Sequence, residues 1–249
     1  MNEVQEKYEA ILSESANNPD VLGIFLGGSR GKDEKFVTEN SDMDVYVIIA
    51  DKVSGELVKK FENYNSDDFE IWVYTLSQFS DYAAWGSARE WDRYNFTHNK
   101  AVIDKTGDIQ KMLDEKGELP QDVQKEVVVN ALDDYVNQVY RSAKYYRDGH
   151  NLAGYLDASE SLPSLMTALY ALEGRVRPYN KYFEWELKNY PLQFLPWVAK
   201  EFVADYRHIL ETGDLKTQGK IFRKVKKLFS EQGFGSVFEE WKGKYFVGD

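Results

Sequence analysis

Gly27-Gly28-Ser29-Arg30-Gly31 and, ten residues on, Ser41-Asp42-Met43-Asp44 stand between two apolar runs. Val21-Leu22-Gly23-Ile24-Phe25-Leu26 leads in, and Val45-Tyr46-Val47-Ile48-Ile49-Ala50 leads out. Short runs rich in β-branched and aromatic residues, bounded by Gly, Asn and Asp, read as buried strands. The spacing therefore predicts a strand, a Gly-rich turn, a polar loop and a second strand whose first residues are acidic.

Side chains alternate across a strand, so Asp42 and Asp44 are expected on one face. Two carboxylates about 4 Å apart repel by roughly 4 kcal/mol at an effective dielectric near 20. A proton or a cation must relieve that cost. Mg²⁺ is the natural cation, because it takes one or two carboxylates and leaves positions for phosphate oxygens. The Gly-Gly-Ser turn can offer N–H groups and a hydroxyl to a phosphate. A phosphate cradle beside a two-carboxylate metal site points to nucleotidyl transfer from a nucleoside triphosphate such as ATP. A P-loop is ruled out: Leu26 stands five residues before Gly31, and Asp33 follows Lys32 where Ser or Thr is required.

These residues resemble the signature of the nucleotidyltransferase superfamily related to DNA polymerase β. The likeness is to antibiotic nucleotidyltransferases, such as kanamycin nucleotidyltransferase, and to the small minimal nucleotidyltransferases. The resemblance implies that Gly28 and Ser29 hold the triphosphate and that Asp42 and Asp44 hold Mg²⁺. It also implies a third carboxylate on a neighbouring strand.

Composition narrows the rest. The 249 residues suit one large domain or two small ones, and 43% hydrophobic with 29% charged is globular rather than disordered. The net charge of −11 disfavours a long nucleic-acid track. With no cysteine there is no disulfide, thiol catalysis or thiolate metal site, and three scattered histidines argue against zinc. Met1 is followed by a charged segment with no apolar signal core, and no run approaches about 18 apolar residues. A cytoplasmic protein without a membrane partner is expected.

Val4, Tyr8, Ile11 and Leu12 fall at helical spacing over Glu3 to Glu14. Arg30 and Lys32 are candidate phosphate contacts, with a solvated loop charge the other reading of Lys32. A short helix is expected from Gly55 to Phe61. In Asp67 to Tyr74, alternation puts Glu70, Trp72 and Tyr74 on one face and Phe69, Ile71 and Val73 on the other. If this strand lies beside that of Asp44, Glu70 is the third carboxylate, as a metal ligand or as the base for the acceptor hydroxyl. The resembled family more often has Asp there. Leu76 to Trp85 reads as a helix. Arg89 to His98, dense in rings and charges, reads as a ligand wall or an amphipathic packing helix. Ala101 to Asp104 reads as a last strand, and Ile109 begins a short helix.

Gly117-Glu118-Leu119-Pro120 marks the expected boundary between a catalytic domain (1–117) and a helical domain (118–249), since Pro120 can open a helix. Beyond it, Val123 to Tyr140 carries a broad apolar stripe, and a second long helix runs from Leu152 to Leu172, interrupted by Pro163. Asp157, Glu160 and Ser161 share one face by spacing, either a solvent side or part of a cleft. Asn151 is a candidate cap. Lys216 to Phe229 reads as a basic amphipathic helix whose apolar stripe is core. Arg175, Arg177 and Lys181 make a local cationic spot that suits an anion. The segment from Asp157 to Lys181 resembles the helical domain that follows many bacterial nucleotidyltransferase domains. That resemblance implies phosphate contacts by Arg177 and Lys181, and acceptor binding or a base from Asp157 and Glu160.

The expected architecture is α+β: a small mixed sheet flanked by helices, then an all-α bundle, with the site in the cleft between. The expected reaction moves AMP from ATP, with Mg²⁺, to a hydroxyl of a small-molecule acceptor. The acidic balance suits a cationic acceptor of the aminoglycoside kind. A protein-modifying nucleotidyltransferase of the toxin–antitoxin type, and a nucleotide-binding module without turnover, are the alternatives.

Overall fold

The structure is a computed structural model that describes residues 3–32, 34–53 and 55–241. The chain divides into two compact units, Met1–Glu118 and Leu119–Asp249. The first is α+β and the second helical. No helix among the described residues is long and apolar enough to cross a membrane.

In the first unit, β1 (Val21–Leu26), β2 (Met43–Ile49), β3 (Phe69–Thr75) and β4 (Ala101–Asp104) form a mixed sheet in the order β3-β2-β1-β4. β1 runs antiparallel to β2 and β4, whereas β2 and β3 are parallel. A parallel pair needs a crossover. It is supplied by α2 (Gly55–Glu62), which packs Leu57, Val58 and Phe61 onto the sheet. The same sheet face carries Val45, Val47, Phe69 and Ile71 and is covered by Ile11, Tyr8 and Leu12 of α1 (Glu3–Asn17). Full burial of each such aliphatic side chain contributes about 1.5–3 kcal/mol.

The opposite face carries Phe25, Tyr46 and Ile48 and packs on α3 (Leu76–Asp81), α4 (Asp108–Gly117) and Phe96. Period-2 alternation thus puts Asp44 and Tyr46 of β2, with Glu70, Trp72 and Tyr74 of β3, toward this second face. α3 stops four residues before the expected Trp85, because Tyr82 turns to extended backbone (ψ 136°) and Ala83 follows at a left-handed φ of 54°. The segment read as a wall or packing helix is a 3₁₀ helix, Glu90–Asn95, in which Asp92, Arg93, Tyr94 and Asn95 are all buried in succession. Four consecutive buried positions leave no helical stripe, so periodicity could not describe it.

In the second unit, α5 (Gln121–Arg147) and α6 (Asn151–Leu172) form a hairpin through Gly149, at φ 82°. Gly154 lets the helices approach closely: a Cβ there would lie 2.8 Å from the Tyr146 ring, and Ser142 Oγ donates to the Gly154 carbonyl at 2.7 Å. Asn151 is the first residue of α6, and no side chain caps its start. α7 (Phe183–Asn189), α8 (Ala199–Thr212), α9 (Leu215–Glu231) and α10 (Gly235–Glu239) complete the unit. Ile221, Val225, Leu228 and Phe229 are the buried stripe of α9.

Candidate active site

β1 ends at Leu26, and the Gly turn closes against the start of β2. The Gly27 N–H donates to the Asp44 carbonyl at 2.9 Å, and the Gly31 N–H returns to the Gly27 carbonyl at 2.9 Å. Gly28 takes φ 53°, and a Cβ on it would run into the Asp44 carboxylate. A Cβ on Gly27 would lie 2.6 Å from the Tyr46 ring. The glycines are therefore demanded by the carboxylate and ring beneath them.

The same geometry assigns the turn's donors. The Gly28 N–H is committed to Asn95 Oδ1 at 3.0 Å, and Asn95 Nδ2 donates to the Tyr46 hydroxyl at 3.1 Å. Gly28 thus shapes the turn, and Ser29 and Arg30 supply its polar side chains. Arg30 Nε donates to the Asp42 carbonyl at 3.3 Å, while its terminal nitrogens have no partner among the described residues. Lys32, read from sequence as a phosphate contact or a loop charge, is neither. Its ammonium donates to the carbonyls of Tyr94 (2.7 Å), Asn95 (3.0 Å) and Thr97. A cation at the end of a helical turn satisfies carbonyls that the turn leaves open.

Asp44 and Glu70 are direct partners in the parallel register of β2 and β3. Asp42 sits two residues before Asp44, at the mouth of β2. Burial first, then the charges of Asp42, Glu70 and Asp92, push the Asp44 carboxyl up to about 6. The indole N–H of Trp72 is close enough to pull the other way. Asp92 was missed by sequence reasoning. It is buried, accepts a 2.9 Å bond from the Tyr82 hydroxyl, and lies within electrostatic reach of Asp44, Tyr46 and Tyr74. Asn95 was missed too. The available signal was a polar residue between Tyr94 and Phe96 in a segment otherwise rich in rings.

Carboxylate oxygens are the donors a hard cation takes, and Asp44, raised first by burial and then by its acidic neighbours, stands beside Glu70. Among the described residues, no group of three or more His, Cys, Asp or Glu side chains is placed to hold a metal ion, so Asp42, Asp44 and Glu70 are not brought together as a ready-made metal site. A cation bound by the Asp44–Glu70 pair would need phosphate oxygens and water to complete its coordination, as Mg²⁺ accepts.

The remaining sequence-predicted residues lie in the second unit. Asp157 is buried and faces Arg141, with Nε to Oδ2 at 3.4 Å; burial raises its pKa and Arg141 opposes the rise. Glu160 is exposed, so the two do not form the single polar face that the spacing suggested. Ser161 turns inward and donates to the Ala158 carbonyl at 2.7 Å. Arg175 is spent internally, on the buried Glu186 (2.6 Å) and the Tyr190 carbonyl (2.8 Å). Arg177 bonds Asn180 Oδ1 at 3.0 Å and borders a cavity of about 310 Å³ with Met166, Phe183 and Tyr206. Lys181 lies over the Tyr182 ring at 5.6 Å.

The fold and site together define an α+β protein with a glycine turn clamped onto a carboxylate group. No protein-family model matches the chain, and no curated protein matches it. Among solved structures it is similar to a nucleotidyltransferase-like protein from Exiguobacterium sibiricum, at 14% identity and a TM-score of 0.39, over 96% of this chain and 87% of that one. So loose a superposition says nothing about chemistry, which has to come from the side chains.

Proposed function

We propose that the protein is a Mg²⁺-dependent nucleotidyltransferase that moves a nucleoside monophosphate, AMP from ATP, to a hydroxyl of a small molecule. One observation supports this most: a turn with no room for a Cβ rests on Asp44, and Glu70 stands beside Asp44 in register. That arrangement joins a tight glycine turn to a carboxylate pair. A binding module has no need of the second carboxylate.

Ser29 and Arg30 take the triphosphate oxygens, Ser29 through its hydroxyl and Arg30 through its guanidinium. Arg177 and Lys181 are proposed as further phosphate contacts. Asp42, Asp44 and Glu70 would hold Mg²⁺, which when bound neutralises charge on the phosphates. Glu70, the most exposed of the strand carboxylates, accepts the acceptor's hydroxyl proton. The acceptor oxygen then bonds to the α-phosphorus, the bond from that phosphorus to the bridging oxygen breaks, and pyrophosphate leaves with the electron pair. Asp92 and the net charge of −11 favour an acceptor that carries positive charge, of the aminoglycoside kind. Asp157 and Glu160 are proposed as acceptor contacts in the helical unit. The protein is proposed to work in the cytoplasm.

Pyrophosphate release from ATP, screened over a panel of polyhydroxylated amines with Mg²⁺, tests the reading. Release that needs an acceptor and disappears in Glu70→Gln supports it. Release that is unchanged in Glu70→Gln removes Glu70 from the chemistry. Labelling of a protein instead of any small molecule would move the function to the protein-modifying alternative.

A further inference from the structure

Trp72 combines two properties on one residue. It pairs with Tyr46 across the sheet, two residues along from the Asp44–Glu70 pair. The residue is 40% exposed, although it projects from a strand of the sheet. The ring stacks on Tyr46 with centroids 6.4 Å apart and planes 22° off parallel. Tyr46 stacks in turn on Tyr74 at 6.4 Å and 14°, and Tyr74 meets Tyr82 at 5.0 Å. Four rings therefore cross the sheet face onto which Asp44 and Glu70 open, and Trp72 is the one at the exposed end.

The charges around this row are mostly of one sign. Glu70 precedes Trp72 by two residues on the same face of β3, and Asp44 is the register partner of Glu70. Asp92 acts on Tyr46, Tyr74 and Tyr82, and the cation Arg89 acts on Tyr74 and Tyr82. A ring face carries negative quadrupolar potential, and Trp carries the most. An exposed indole beside carboxylates selects an organic ammonium group, which gains from both. A neutral base gains from the ring alone.

We propose that Trp72 is the specificity residue on the acceptor side of the site: its ring seats an ammonium group of the acceptor. The assignment of that side to the acceptor rests on the nucleotidyltransferase reading; the seating of an ammonium group does not.

The test uses the full chain without nucleotide or metal, so it is independent of whether ATP binds. The probes are choline, its uncharged isostere 3,3-dimethylbutan-1-ol, and adenosine. Saturation transfer by NMR reads which of them touches the protein. Transfer to the choline methyls is expected in the wild type and in Trp72→Phe, which keeps a ring. It should fall about threefold or more in Trp72→Leu, in line with an exposed cation–π contact. The neutral alcohol should receive little. Equal transfer to choline and alcohol, or undiminished choline transfer in Trp72→Leu, overturns the seating of an ammonium group. Transfer to adenosine in preference to choline overturns it in favour of a nucleobase shelf. A matching thermal midpoint for Trp72→Leu and wild type excludes misfolding as the cause.

Discussion

Asp44 shows at the residue scale how this site stores unfavourable energy. Its carboxyl is raised to about 6 from an ordinary 3.8, so the folded protein holds the proton more tightly than the unfolded chain does. The favourable contribution is thus complete below about pH 4 and is lost as pH rises through 6. At neutral pH the charged Asp44 opposes folding. A rise of that size corresponds to about 3 kcal/mol between the two protonation states; screening at a partly exposed carboxylate reduces that to about 1–2 kcal/mol. Asp44→Asn should therefore raise the thermal midpoint at pH 7.5 and lose that advantage at pH 4. Thermal melts across the pH range check this, and a destabilised variant at pH 7.5 would show that the carboxylate is stabilising instead. Gly28 is the complementary case. Gly28→Ala forces a side chain into a left-handed φ and against Asp44, at a cost of at least about 1–2 kcal/mol, readable by urea unfolding. Both residues were legible in sequence as positions. What Gly28 does was not, because its N–H partner, Asn95, lies 67 residues away.

At the scale of elements, the strands were legible and the connections less so. Val21–Leu26 and Ala101–Asp104 stand where the apolar runs predicted, because a buried strand needs only a short run with turn residues at its ends. The alternation Glu70, Trp72, Tyr74 put Glu70 on one face and left its place beside Asp44 conditional on strand pairing, which the parallel register of β2 and β3 supplies. The 3₁₀ segment Glu90–Asn95 was opaque because its residues act through long-range polar contacts. Lys32 closes its C-terminal carbonyls; Arg93 donates to the carbonyls of Ala83 (3.1 Å), Glu115 (3.0 Å) and Glu118 (2.7 Å); Lys116 donates to those of Ser80 (2.8 Å) and Tyr82 (2.6 Å). A cation near a glycine turn looks the same in sequence whether it meets phosphate or backbone. Lys32→Met leaves carbonyls without donors and should cost about 2–3 kcal/mol in urea unfolding. Asn95→Ala should cost less in stability, about 1–2 kcal/mol, while loosening the turn over Asp44 and weakening binding of an ATP analogue. Full analogue affinity in Asn95→Ala would detach the clamp from the site.

For the whole molecule, two cores in one chain explain why composition alone left the domain count open. Each unit carries its own buried cluster, from Ile24 and Val45 in the first to Leu132 and Leu165 in the second. The charge of −11 spread over 249 residues resists compaction. Raising NaCl from about 10 to about 150 mM should screen that repulsion and raise the thermal midpoint. A fall would mean that favourable ion pairs, such as Lys220 with Asp205 at 2.7 Å, outweigh the net repulsion.

Asp42 and Asp44 are proposed, above all, to make a cation-dependent nucleotide site. Calorimetric titration with a non-hydrolysable ATP analogue, with and without Mg²⁺, tests this most directly when wild type runs beside the Asp42→Ala, Asp44→Ala double variant. Binding to the wild type should require Mg²⁺ and should be lost in the variant. Binding that ignores Mg²⁺ and survives the double substitution, or no binding of any nucleoside triphosphate, would contradict it.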